Sequence, residues 1–271
     1  MKTALVISSL VASSQVGATA SAFCLRRLGI ETVVIPTTVL GRHPGWGPPG
    51  GSALPAEHLR DMWSAIKAQN IKFDAVMTGY FADDAHIEIA ADIIKDVKSI
   101  NSDAIILVDP VMGDNGALYI PASRAKAIKQ HLFSIATLIT PNIWEMSYIT
   151  GHPAGSVEVI LDHAADIPAA CLVTSVPQKD KIGALFVDGT ARYFVYHDIF
   201  PSVPHGGGDS LAGTFLAHIL LGDLRRDALA KSVASVFSIL STAVSENCSE
   251  LPLVKEQDAL IIAKPLPINI L

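Results

Sequence analysis

Short runs of β-branched and aliphatic residues alternate along this chain with longer stretches of helical period, and no other feature restricts its fold as much. Strands separated by helix-length segments are joined by crossovers, so they lie parallel with helices covering the faces of the sheet. The strand-like runs are residues 4–7, 32–35, 75–77, 104–108, 138–139 and 171–173, with a hairpin over 184–187 and 192–196. Helical periodicity marks residues 17–28, 56–68, 84–100, 123–133 and 155–165, then two successive helices over 210–221 and 225–245. The expectation is an α/β chain, a three-layer α/β/α sandwich around a mostly parallel central sheet. Its 271 residues, half of them apolar, carry no linker, repeat or low-complexity tract, so one domain spanning residues 1–271 is expected.

Bulk properties exclude several classes of partner. The net charge of -6, without clustered Lys or Arg, offers no footprint for nucleic acid or an anionic membrane, and a small molecule is the default ligand. Three widely spaced cysteines, Cys24, Cys171 and Cys248, form no metal or redox pair and suit a reducing, cytoplasmic compartment. The N-terminus imitates a secretion signal, but its apolar run is short, is broken by Ser8 and Ser9, and follows a single positive charge at Lys2. No run of about 18 consecutive apolar residues occurs, so no transmembrane helix is expected. None of the nine histidines falls in a dense ligand pattern.

In parallel sheets ligands bind beyond the carboxyl ends of the strands. The residues just after the expected strands are therefore the informative ones: Ser9, Pro36 to Thr38, Gly79 with Tyr80, Asp109, Thr140, and Thr174 with Ser175. The sharpest motif is Gly206-Gly207-Gly208-Asp209, directly before an amphipathic helix. Successive glycines bring free amides close to a ligand at the positive end of a helix, which makes an anion site. Asp209 is either a helix cap or the base that takes a proton from an attacking hydroxyl. Asp109-Pro110-Val111-Met112-Gly113-Asp114 is either a plain acidic turn or a pair of carboxylates for Mg²⁺ and its waters. Thr140-Pro141-Asn142-Ile143-Trp144-Glu145 opens a helix with polar groups, as a cap or as part of a phosphate site.

The order of these motifs resembles the pyridoxal kinase family of the ribokinase-like superfamily. The likeness runs through Ile7-Ser8-Ser9, Val16-Gly17, Thr38-Val39, His43, Thr78-Gly79-Tyr80, the Asp109 to Asp114 turn with Leu118-Tyr119, Thr140-Pro141-Asn142 with Glu145, Val173-Thr174-Ser175, and the Asp209 turn. The resemblance implies a ribokinase-like fold and ATP-dependent phosphorylation of the 5′-hydroxymethyl group of a B6 vitamer. It implies Asp209 as base with the amides of Gly206, Gly207 and Gly208 as anion hole. Ser9, Val16, Thr38, His43 and Tyr80 would line the vitamer pocket. Asp109, Asp114, Thr140, Asn142, Glu145, Thr174 and Ser175 would surround ATP, with Mg²⁺ near Asp109, Asp114 and Glu145, directly or through water. K⁺ is common in the superfamily, and a homodimer is its usual assembly. The chain departs from the family at Gly207, where threonine is usual, at Ala18, where asparagine is, and at Leu10, where histidine is.

Rival readings remain. A hydroxymethylpyrimidine kinase acts on a similar ring alcohol, and a vitamer-binding protein without turnover would keep the same fold. Gly208-Asp209-Ser210-Leu211 spells an esterase signature, but the only later histidine, His218, lies about two turns on along the same helix, out of reach of Ser210. Gly45-Trp46-Gly47-Pro48-Pro49-Gly50 imitates a dinucleotide fingerprint, yet its prolines have no N–H to offer a pyrophosphate, so a loop over the site is expected. No Walker loop is present.

Overall fold

The computed structural model describes residues 1–271 in full. The first half runs β1 (Thr3–Val11), α1 (Ala18–Arg27), β2 (Glu31–Leu40), β3 (Gly51–Ala53), α2 (Ala56–Lys67), β4 (Ala75–Thr78), α3 (Asp84–Ile100) and β5 (Ile105–Val108). A small hairpin, β6 (Gly113–Asp114) with β7 (Ala117–Leu118), then leads to α4 (Ala122–His131), β8 (Leu138–Ile139), α5 (Ile143–Thr150) and α6 (Val157–Ala164). The chain continues through β9 (Ala170–Gln178), β10 (Lys181–Asp188), β11 (Ala191–Asp198), α7 (Gly207–Leu220), α8 (Arg225–Ser245), α9 (Ala259–Ile262) and β12 (Asn269–Ile270).

All strands but the hairpin join one ten-stranded sheet in the order β12-β11-β10-β9-β8-β5-β4-β1-β2-β3. Its centre, from β2 to β9, is parallel, and antiparallel strands extend it at both ends. Alternation along β1 sends Leu5 and Ile7 into the core under α2 to α6, and Ala4 and Val6 into the core under α1, α7, α8 and α9. The expected sandwich is thus present, each face held by its own apolar layer. By length and composition α8 could cross a membrane, but 61% of its apolar window is buried, and it packs on α7, β10 and β11.

Three expectations about strand ends are corrected. Ser9 lies inside β1, Pro36, Thr37 and Thr38 inside β2, and Thr174 with Ser175 inside β9, because these strands run past irregularities in their pairing. Pro36 is tolerated because β3 pairs only with Thr38 to Leu40, leaving that stretch of β2 with no outer neighbour. In β9 the register with β10 shifts near Thr174, and Ser175 takes φ +59°, so a bulge re-aims both side chains without ending the strand. From β1 the chain crosses to β2 through α1 on one face, and from β4 to β5 through α3 on the other. The carboxyl ends of β1 and β4 therefore flank the crevice where such sheets take ligands.

Candidate active site

The glycine turn is fixed by one contact. Gly206 caps α7 with φ +101°, and a Cβ there would overlap the Gln15 carbonyl oxygen. Only glycine fits both conditions. Gly207 and Gly208, by contrast, have open space where a side chain would start. Their N–H groups donate to no protein acceptor, the first bond of the helix being Ser210 N–H to Gly206 O at 2.9 Å. Free amides at the positive end of a 14-residue helix attract an anion.

Asp209 is the third residue of α7, inside the helix, so the capping alternative does not hold; Gly206 is the cap. Burial raises the proton affinity of its carboxyl to about 6, although the backbone N–H groups of Gly17 and of Asp209 itself stabilise the ionised form. A carboxyl so tuned can accept a proton near neutral pH.

Asp109 directly follows β5 and is almost fully buried, and its N–H donates to the Thr78 carbonyl at 3.0 Å. Its carboxyl is held well above the usual range by burial, then by the charges of Asp209 and Glu145. Two residues on, Val111 takes φ +32°, a strained state for a β-branched residue, and its N–H stabilises the Asp109 carboxylate. The Thr140 hydroxyl stands beside that carboxylate and favours its ionised form, but makes no hydrogen bond of full geometry.

The helix opening at Asn142 serves as both a cap and part of the site. Asn142 Oδ1 accepts from Glu145 N–H at 2.8 Å, and Glu145 Oε2 accepts from Asn142 N–H at 2.8 Å, a complete capping box. Glu145 Oε1 also accepts from Met112 N–H at 2.7 Å and Gly113 N–H at 3.3 Å, while Asn142 Nδ2 donates to Gly113 O at 2.9 Å. The start of α5 is thereby stapled to the Asp109 to Asp114 loop. Burial nevertheless raises the Glu145 carboxyl, with the charge of Asp114 adding to it. Asp114 itself lies in the hairpin, where its Oδ1 accepts from Asn115 N–H at 2.7 Å.

Asp114, Glu145, Asp109 and Asp209 thus form a row in which each carboxylate meets the charge of the next and none is paired with Lys or Arg. No three of them converge tightly enough to hold an ion alone. The row fits a hard cation that keeps waters and takes other ligands from phosphate, as Mg²⁺ does.

Beside this row lie hydroxyls without partners. Ser8 Oγ and Thr38 Oγ1 in the carboxyl halves of β1 and β2, Thr78 Oγ1 at the end of β4 and Thr140 Oγ1 just after β8 are buried and make no hydrogen bond. Buried polar atoms left unsatisfied cost stability, and their clustering at the crevice marks where a polar ligand would complete them. Ser9 and Val16 are buried nearby, and Tyr80 is half-buried with its carbonyl accepting from Thr37 Oγ1 at 2.8 Å. His43 lies in the β2–β3 loop, its ring stacked on His205 with centroids 4.3 Å apart. Thr174 N–H donates to the Pro141 carbonyl at 2.9 Å, which brings the β9 bulge to the Asn142 segment. In the sequence, Ser8 and Thr78 mark the family likeness without a site role, and no motif singles out His205. A separate cavity of about 530 Å³, lined by Leu10, Ala18, Phe23, Arg26 and Val34 among others, holds no carboxylate and stands apart from this site.

Free amides at a helix start, a tuned carboxylate inside that helix and an acidic row for a metal-bound phosphate suit phosphoryl transfer to a hydroxyl. On this sheet, with no Walker loop, they define a small-molecule kinase of the ribokinase-like class. The sequence matches the phosphomethylpyrimidine kinase family over residues 47–253. It is 31% identical to pyridoxal kinase PdxY of Leifsonia xyli subsp. xyli over 266 residues, covering 94% of each chain. With pyridoxal kinase PdxY of Rubrobacter xylanophilus it shares 29% identity, covering 95% of this chain and 93% of that one. The crystal structure of pyridoxal kinase from Entamoeba histolytica superposes with a TM-score of 0.93 at 24% identity, covering 100% of both chains. That of Leishmania donovani pyridoxal kinase in complex with ADP and pyridoxamine does so with 0.93 at 21% identity, again over 100% of both. The chain belongs to the pyridoxal kinase family of the ribokinase-like superfamily.

Proposed function

We propose that this chain transfers the γ-phosphoryl group of ATP to the 5′-hydroxymethyl group of pyridoxal or a related B6 vitamer, giving pyridoxal 5′-phosphate and ADP. The observation that carries this is the meeting, at one helix start, of the unpaired Gly207 and Gly208 amides with a carboxyl whose proton affinity is raised to about 6. Asp209 takes the hydroxyl proton as the oxygen attacks, and the amides of the Gly206 to Asp209 turn hold the charge that develops on the phosphoryl group. Ser9, Val16, Thr38, His43 and Tyr80 form the vitamer side; Asn142, Thr140, Thr174 and Ser175 form the nucleotide side. Asp109, with Asp114 and Glu145 acting through water, would hold Mg²⁺, which neutralises phosphate charge when bound. Glu145 is assigned the water-mediated role because both of its oxygens already accept backbone N–H groups.

The three unpaired cysteines support a cytoplasmic setting, and the family likeness supports a homodimer. The match to the phosphomethylpyrimidine kinase family favours hydroxymethylpyrimidine as the second candidate substrate. A panel of pyridoxal, pyridoxine, pyridoxamine and hydroxymethylpyrimidine with ATP and Mg²⁺ decides. A B6 vitamer is expected to give the highest kcat/KM. A far higher value for hydroxymethylpyrimidine moves the assignment to that kinase, and ATP use that no alcohol stimulates removes both.

A further inference from the structure

Glu250 lies beyond the end of α8, outside every motif of the site, yet three donors from two segments of the site, the β1–α1 turn and the β2–β3 loop, converge on it. Its Oε1 accepts from Ser14 Oγ at 2.9 Å and from Trp46 Nε1 at 3.1 Å, and its Oε2 accepts from Gln15 N–H at 3.1 Å. No Lys or Arg pairs with it, so these donors alone satisfy a half-buried charge. A carboxylate that gathers three donors orients them with respect to one another, since hydrogen bonds to an ionised acceptor are stronger than those between neutral groups.

Each donor leads to the reacting groups. Trp46 is at the tip of the β2–β3 loop, which is ordered within itself by Gly41 N–H and Arg42 N–H donating to the Pro49 carbonyl at 3.0 and 3.1 Å. A second tie pins the same tip: His43 stacks on His205, the residue before Gly206, and His43 N–H donates to Ser14 Oγ at 3.2 Å. Gln15 supplies the carbonyl that abuts Gly206, and two residues later Gly17 N–H stabilises the Asp209 carboxylate.

We infer that Glu250 is a positioning residue for phosphoryl transfer, holding the β2–β3 tip against the glycine turn through Trp46 and fixing the Gln15 to Gly17 segment that aims Asp209. It rests on the kinase reading above. Its two effects are separable. Losing the hold on Gln15 displaces the base, and displacements of about 1 Å can cost roughly a hundredfold in rate. Losing the hold on Trp46 opens the site to water, which then competes with the vitamer hydroxyl for the γ-phosphoryl group and yields ADP and inorganic phosphate.

The test compares Glu250→Ala, Glu250→Gln, Trp46→Phe and the Trp46→Phe/Glu250→Ala double variant. In Glu250→Ala, kcat for vitamer phosphorylation is expected to fall about tenfold to a hundredfold, with KM for ATP within about twofold of the parent. The ratio of ADP formed to vitamer phosphorylated should rise above one, which a loss of general stability does not produce. Glu250→Gln, keeping one acceptor oxygen, should fall between. Trp46→Phe should show the leak with a smaller loss of kcat, and the double variant should be no worse than Glu250→Ala. Exchange of the Trp46 indole N–H, followed by NMR in the ADP-bound protein, should be slow in the parent and fast in Glu250→Ala. Parental kcat and coupling in Glu250→Ala, or equal indole exchange in the two proteins, overturns the assignment. The exchange measurement needs no turnover, so a parent that phosphorylates no vitamer defeats the kinase reading while the positioning contact is still judged.

Discussion

The backbone N–H of Gly17 stabilises the ionised carboxylate of Asp209, joining the turn after β1 to the first turn of α7 at the group assigned to accept the substrate proton. Gly17 stands at φ +58°, with Ser9 O and Ser9 Oγ each 2.6 Å from where a Cβ would be. The base is therefore oriented by main chain from a segment that no side chain can replace. A Gly17→Ala variant is expected to lose roughly tenfold or more in kcat through displacement of Asp209. Steady-state kinetics on protein shown to be folded by circular dichroism checks this, and a parental kcat would refute it.

Asp209→Asn keeps the size of the side chain and removes its proton affinity. Because Gly206 is the cap, asparagine takes over no capping duty, and the change isolates the base. We expect kcat to fall about 10² to 10⁴-fold with ligand affinity largely kept, a barrier increase of roughly 3 to 5 kcal/mol. A folded variant with more than about a tenth of parental kcat refutes the role. Stability should move the other way. The folded carboxyl binds its proton more tightly than the unfolded one, at about 6 against 3.8, so ionising it costs folding free energy. That cost is absent below pH 3.8, grows as pH rises, and is complete above about pH 6. The melting temperature of Asp209→Asn relative to the parent should thus rise between about pH 4 and pH 6 and level off above that, measured by calorimetry without metal or nucleotide.

If the acidic row holds Mg²⁺ as proposed, metal binding there is a proton-releasing event. Burial raises Asp109, Asp209 and Glu145 above their ordinary carboxyl range, with neighbouring charge adding to it at Asp109 and Glu145, and Asp209 at about 6 is partly protonated near pH 6. A divalent cation favours the ionised forms and expels those protons. Titration of the protein with MgADP at pH 6, in buffers of differing ionisation enthalpy, should show net proton release that shrinks by pH 8. Asp109→Asn should bind MgADP more weakly and release fewer protons, and unchanged release would remove Asp109 from the metal site.

How far the sequence could be read depended on the range of the contacts. The helices over residues 84–100 and 225–245 were legible to the residue, because their apolar period is sustained and local. The edge strands β3 and β12 and the separate β6–β7 hairpin were not, since two or three residues carry no period; β3 and β12 pair only because the sheet already exists. In the site, Asp209, Asp109 and the Asn142 to Glu145 segment were visible as motifs next to expected strand ends. What the motifs could not show is that Glu145 ties the Asp109 to Asp114 loop, or that Glu250 gathers Ser14, Gln15 and Trp46. Those depend on contacts between residues tens to hundreds of positions apart.

The glycine turn allows a last and sharper prediction, because its two departures from ordinary side chains are of opposite kind. Gly206 must be glycine: its φ of +101° is unfavourable for any L side chain, and a Cβ would strike the Gln15 carbonyl that Glu250 helps to place. Gly206→Ala therefore costs about 1 to 3 kcal/mol of strain and pushes apart the two segments that flank Asp209. Gly207 is free of both constraints, with no positive φ and no atom within 4 Å of an added Cβ. The threonine usual in the family can be restored there without rearrangement. It would add one hydroxyl donor beside the two free amides, and each such donor is worth up to 10² to 10³-fold where it meets transition-state charge. Gly207→Thr should fold with a parental melting temperature and raise kcat, whereas Gly206→Ala should lose most of its activity. Loss of folding in Gly207→Thr would contradict the open space found at that position, and full activity in Gly206→Ala would contradict the contact with Gln15.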